Sequence, residues 1–168
     1  MNSKAFTLVE ALIGIFILSL IVVLLGSLTV WLLRSNIRIQ VETEVLENVQ
    51  AAIQRMTYEI READSIYSPT SGSSQLSLET NTYPPEGETF SYVDFFLCNG
   101  RLCEKQEGES PVALTSEKVE VTNLQFNYFG TSTPSVQVKL TAKYQNPSGN
   151  PEYDYSIDLE SFANLRSY

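Results

Sequence analysis

The sequence predicts an α+β protein: one long amino-terminal helix, first transmembrane and then amphipathic, packed on a carboxy-terminal antiparallel β-sheet. Three observations lead there. Residues 11–33 form a run of 23 residues without a charge. Leu46, Val49, Ile53, Met56, Ile60 and Ala63 then recur at spacings of three and four, the period of one helix face. Val136, Val138, Leu140, Ala142 and Tyr144 alternate with polar residues, as do Tyr153, Tyr155, Ile157 and Leu159, which is the period of half-buried strands.

The uncharged run comes first. At about 1.5 Å per residue, 23 helical residues reach roughly 34 Å, enough to cross the hydrocarbon core of a bilayer. A secretory signal peptide has a shorter apolar region, of about 7–15 residues, ending at a small-residue cleavage site. This run is longer and continues directly into a polar helical pattern. Gly14, Gly26 and Ser27 interrupt it, as small residues do where membrane helices approach closely. An ordinary anchor leaves two features unexplained: the abrupt polar-to-apolar edge at Ala5-Phe6, and Glu10 at the start of the apolar stretch. An acid in a span is costly, so Glu10 is a candidate functional residue that needs a cationic partner.

Lys4-Ala5-Phe6-Thr7-Leu8-Val9-Glu10, followed by an apolar helix, resembles the class III leader of type IV pilins and pseudopilins. The resemblance implies that a prepilin peptidase cuts between Ala5 and Phe6 and methylates the new amine of Phe6. It also implies that Glu10, fifth in the mature chain, pairs with the terminal amine of a neighbouring subunit during assembly. Ala5 stands where the family usually has Gly. The expected division is a leader at 1–5, a transmembrane helix half at 6–33, an amphipathic helix half at 34–66 and a β-rich globular domain at 67–168.

The 168 residues carry 11 basic and 20 acidic side chains, a formal charge of −9. Removing residues 1–5 takes away only Lys4 and makes it −10. Nonspecific nucleic-acid affinity comes from Lys and Arg, so no nucleic-acid partner is expected. Lys4 favours a cytoplasmic amino terminus, while Arg34 and Arg38 beyond the span favour the reverse. The resemblance decides for a cytoplasmic leader, a single pass through the cytoplasmic membrane and an exported globular domain.

Beyond Arg34 the helix is expected to continue to about Ile66, where Ser65, Ser68 and Pro69 supply the stop. Its apolar stripe is too short for a sustained coiled-coil seam, and the β-rich segment that follows is the favoured cover. Residues 68–74 are a loop by composition. Candidate strands follow at Gln75–Glu79, Phe90–Cys98 and Pro111–Thr115, with a turn-rich connector at 80–89. Phe90–Cys98 is apolar at both parities and is expected to be covered on both faces. A change of parity around Thr122-Asn123 predicts a β-bulge or bend. Turns at Thr131–Pro134 and Asn146–Pro151 then complete a three-strand meander.

One long helix, a loop-rich middle and a terminal meander resemble the pilin fold. Arg55–Asp64 and the ending Phe162-Ala-Asn-Leu-Arg166 are similar to the J/W-type minor pilins, with Glu59 where Asp is common.

Cys98-Asn-Gly-Arg-Leu-Cys103 places two cysteines around a strong turn signal. Two geometries are open. A four-residue loop would set the cysteines face to face, and a two-residue Asn99-Gly100 turn would pair Cys98 with Arg101 and leave the cysteines diagonal. A Cys98–Cys103 disulfide is expected, in keeping with an exported domain. Two cysteines and no histidine give no zinc set and no histidine-based catalytic arrangement. Glu104, Glu107 and Glu109 read as a solvated charged loop more readily than as calcium ligands or an acid/base pair. No cofactor, metal or catalytic residue is expected. The implied role is a minor pilin or pseudopilin subunit that assembles with other pilin subunits in a type IV pilus-like or type II secretion fibre. Its other partners would be the membrane and the prepilin peptidase/methyltransferase. A membrane-tethered adhesin or other ligand-binding β-domain is the alternative.

Overall fold

The computed structural model describes residues 7–68, 73–82, 84–129 and 134–166. A single α-helix, α1, runs from Leu8 to Glu62. The chain divides into two compact units, residues 1–39 and 40–168.

In the first unit every residue from Thr7 to Arg34 is exposed, including Leu8, Phe16, Val23 and Trp31. The apolar run is long enough to cross a membrane. Its three hydroxyl side chains bond within the helix. Ser19 donates to the Phe16 carbonyl at 2.7 Å, Ser27 to Leu24 at 2.9 Å and Thr29 to Leu25 at 2.9 Å. The run therefore presents no unsatisfied hydroxyl to an apolar surrounding, the condition a lipid-facing helix must meet.

The second unit packs residues 40–62 of α1 against two antiparallel sheets. One has five strands in the order β1 (Ser65–Ser68), β2 (Leu76–Thr80), β3 (Ser91–Cys98), β4 (Arg101–Gln106) and β5 (Val112–Ala113). The other has β6 (Val119–Phe129), β7 (Ser135–Tyr144) and β8 (Ser156–Asn164) in that order. One core joins Val45, Val49, Met56 and Ile60 of the helix to Leu76, Leu78, Phe95 and Leu102 of the first sheet and Phe126, Val138 and Leu140 of the second.

The α+β architecture is the expected one, with several boundaries moved. The helix stops at Glu62, not near Ile66, because the Asp64 N–H bonds to the Glu79 carbonyl at 2.9 Å and Ser65–Ser68 joins β2 as a strand. Long-range pairing overrides the local stop signal. The buried helix stripe is Val41, Val45, Val49, Ala52, Met56, Ile60 and Ala63, with Leu46 and Ile53 only partly buried beside it. Cover comes from both sheets, so the middle of the chain is more regular than its composition suggests.

β3 is buried fully on one face only. Val93 and Phe95 point into the core, while Tyr92, Asp94 and Phe96 are half-buried on the other side. The bulge lies where the parity change put it, with the β6–β7 register shifting between Val121 and Asn123. Tyr153 belongs to a 3-10 turn at Pro151–Tyr153, stacked on Tyr144 at 5.9 Å, and β8 begins only at Ser156. Most of the loop at 68–74 and of the turn at 131–134 lies outside the described residues.

Candidate functional site

The helix start organises the first unit's candidate residues. Thr7 caps it: its Oγ1 accepts the Glu10 N–H at 3.3 Å, and its carbonyl accepts the N–H groups of Glu10 at 3.1 Å and Ala11 at 3.2 Å. Thr7-Leu8-Val9-Glu10 thus has the spacing of a capping box, with the acid in the first turn where the helix dipole favours negative charge. Glu10 is exposed and is the only charged residue between positions 5 and 33. Ala5 and Phe6 lie outside the described residues.

Among the described residues of the second unit, three polar ties join α1 to the chain that follows it. Near residue 44, Asn48 Oδ1 accepts the Ser116 N–H at 2.7 Å and Glu44 faces Lys118 at 3.5 Å. At the middle, Arg55 Nε and Nη2 donate to the two oxygens of Glu104 at 2.8 and 2.6 Å, and Nη1 meets Glu59 at 2.7 Å. At the helix end, Arg166 contacts Glu62 at 3.2 Å while its own N–H reaches the Arg61 carbonyl at 3.2 Å. The central tie matters most, because Glu104 is 7% exposed and a two-pronged Arg–carboxylate pair is geometrically demanding.

Those contacts change proton affinities. The hydrogen bonds to Glu104, helped by Glu59, push the Arg55 guanidinium up. Burial raises the Glu59 carboxyl above its usual range, and the nearby Arg55 only partly opposes this. Sequence reasoning missed this cluster. The spacing of Glu104, Glu107 and Glu109 suggests a solvated charged loop, whereas β4 carries Glu104 inward beside Leu102. Glu107 instead accepts the Tyr92 N–H at 3.2 Å, so the three acids do not converge. Among the described residues no group of three or more Cys, Asp or Glu could hold a metal ion.

Cys98 and Cys103 are joined, with Cα atoms 5.9 Å apart. Asn99 and Gly100 have φ of 52° and 74°, the left-handed pair of a two-residue hairpin turn, and Cys98 lies opposite Arg101. The diagonal geometry is therefore the one adopted. Gly100 is tightly placed, with its carbonyl accepting the Val121 N–H at 2.7 Å, so the hairpin also touches β6.

Residues 1–26 match the prokaryotic N-terminal methylation motif. That match supports a type IV pilin-like protein. No curated protein and no solved structure matches it. The match includes Ala5, Phe6, Thr7 and Glu10 and ends at Gly26, well before the residues that resemble the J/W type. A pilin-like leader of this class implies processing by a prepilin peptidase and company with other pilin subunits in the membrane. With the apolar helix it supports a membrane-anchored protein, and it indicates a structural subunit in place of an enzyme.

Proposed function

We propose that this chain is a minor pilin or pseudopilin subunit. Prepilin peptidase trims it between Ala5 and Phe6 and methylates Phe6. Residues 6–33 hold it in the cytoplasmic membrane, the helix continues to Glu62, and the β-rich remainder is exported. Subunits then enter a type IV pilus-like or type II secretion fibre by packing their helices, with Glu10 as counter-charge to a neighbour's terminal amine.

The observation that carries this reading is the matched leader motif on a helix whose residues Thr7 to Arg34 are exposed. Nothing within 4 Å would meet a Cβ at Gly14 or Gly26, so packing inside the chain does not require glycine there. Such residues suit close approach by another helix. Intact-mass measurement of the membrane-extracted protein, from a host carrying the peptidase, tests the first step. The expected species starts at Phe6 and bears one methyl group. A chain that still begins at Met1 in that host overturns the proposal.

A further inference from the structure

Sheet edges carry unpaired backbone groups, and proteins ordinarily shorten, bend or cover them. Three of the four edges described here are managed in this way. β1 has four residues and β5 two. The outer edge of β6 is met by Ser73, whose carbonyl accepts the Phe126 N–H at 2.8 Å, and by Gly100 at Val121. β8 differs: it has nine residues, no proline and no break in register, and among the described residues β7 is its only strand neighbour.

The ladder shows which groups of β8 are left over. The Tyr144 N–H bonds to the Tyr155 carbonyl, and the Leu165 N–H to the Pro134 carbonyl, both at 3.0 Å and both in the register of the β7–β8 pairs. Counting in twos between these fixed points, Ile157, Leu159, Ser161 and Ala163 exchange hydrogen bonds with β7. Asp158, Glu160 and Phe162 turn their N–H and C=O groups outward. Their side chains are exposed as well. Beside Phe162 a groove of about 790 Å³ opens between β8 and α1, lined in part by Ile53, Tyr58 and Leu165. Thr57 also lines it, and its buried Oγ1 has no hydrogen-bond partner.

We propose that β8 is a docking edge for an extended strand of a different protein. That strand carries Lys or Arg opposite Asp158 and beside Glu160, whose carboxylate also faces Lys139 of β7 at 3.5 Å, and sets an apolar side chain in the groove beside Phe162. Main-chain pairing supplies the affinity and alternate side chains the selectivity. Charge argues against a second copy as occupant. Antiparallel β8–β8 pairing at greatest overlap sets Glu160 against Glu160 of the second copy, and like charges directly opposite destabilise a sheet. The net charge of −9 acts in the same direction. The inference goes beyond the assembly reading and does not depend on it.

The test uses the full chain in a neutral detergent and a synthetic heptapeptide alternating Lys with Val. A second peptide has the same charges, but alternate backbone nitrogens are methylated so that it cannot pair. Residue-resolved amide exchange should slow by about tenfold or more at Asp158, Glu160 and Phe162 on saturation with the first peptide, and little at Leu159 and Ser161, which the ladder already protects. Asp158→Pro removes an outward N–H together with one of the two carboxylates, leaves the β7 ladder intact, and should abolish binding with the thermal midpoint nearly unchanged. Unaltered exchange at the three outward amides overturns the proposal whatever that variant's stability. Equal binding of the methylated peptide also overturns it, by reducing the interaction to charge attraction, as does undiminished binding to a folded Asp158→Pro protein.

Discussion

Position 104 carries a carboxylate on the inward face of β4, and Arg55 answers it from the helix. Removing one partner of a buried pair leaves the other charge uncompensated, a larger effect than the net worth of the pair. Arg55 retains 37% of its side-chain exposure, so solvent softens the loss. Glu104→Gln should cost about 1–3 kcal/mol in denaturant unfolding, and Arg55→Met with Glu104→Gln together less than the two single costs combined. Glu59 behaves in the opposite sense. Because its folded-state carboxyl is raised, the native chain binds more protons than the unfolded chain between the ordinary glutamate range and the raised value, and stability falls as pH rises through that window. Glu59→Gln should flatten that slope without loss of stability at neutral pH; a steeper decline in the variant would contradict the assigned burial effect. Part of this cluster was legible in the sequence. An Asn99-Gly100 turn fixes the parity of β4 and places Leu102 and Glu104 on one face, but no local pattern links Glu104 to a partner 49 residues away.

The helix stripe shows the same division between local and long-range information. Spacings of three and four identified Val49, Met56, Ile60 and Ala63, which are buried, but also chose Leu46 and Ile53 over Val45 and Ala52, which the two sheets cover. A single sheet would cover a narrow seam. Two sheets cover a wider face, and the seam's centre moves by one position. The meander was readable because β6, β7 and β8 each present one apolar face, whereas β1 and β4 have mixed polarity and exist through their neighbours. These placements give different weights to neighbouring substitutions. Met56, fully enclosed, should lose about 2–5 kcal/mol on Met56→Ala, and half-buried Ile53 clearly less on Ile53→Ala. Denaturant unfolding of the detergent-solubilised chain, followed by circular dichroism, measures both. Equal losses would put the centre of the packed face back at the seam that spacing alone suggests.

Taken whole, the chain meets two requirements of different kinds. Residues 40–168 close a core of their own, while the apolar residues from Leu8 to Leu33 are exposed in the first unit and need lipid or other helices. Glu10 stands at the start of that uncovered stretch, and two physical roles compete for it. One is local: with Thr7 as cap, an acid or amide at the third helical position suits the helix start, and the charge gains about 0.3–1 kcal/mol from the dipole. The other is intermolecular, as counter-charge to the methylated amine of a neighbouring subunit. Glu10→Gln separates them, because glutamine suits a capping box but carries no charge, whereas Glu10→Leu removes both properties. The assembly reading expects both variants to be inserted and trimmed at Phe6, yet both to be missing from sheared fibres or isolated assemblies, since an amine buried without its partner is strongly disfavoured. The capping reading expects Glu10→Gln to enter assemblies as well as the native chain and Glu10→Leu to fall short. Quantifying each variant in the membrane and assembled fractions, with intact mass to confirm processing, decides between them; normal incorporation of Glu10→Gln would remove the ion pair from the mechanism and leave Glu10 as part of the helix cap.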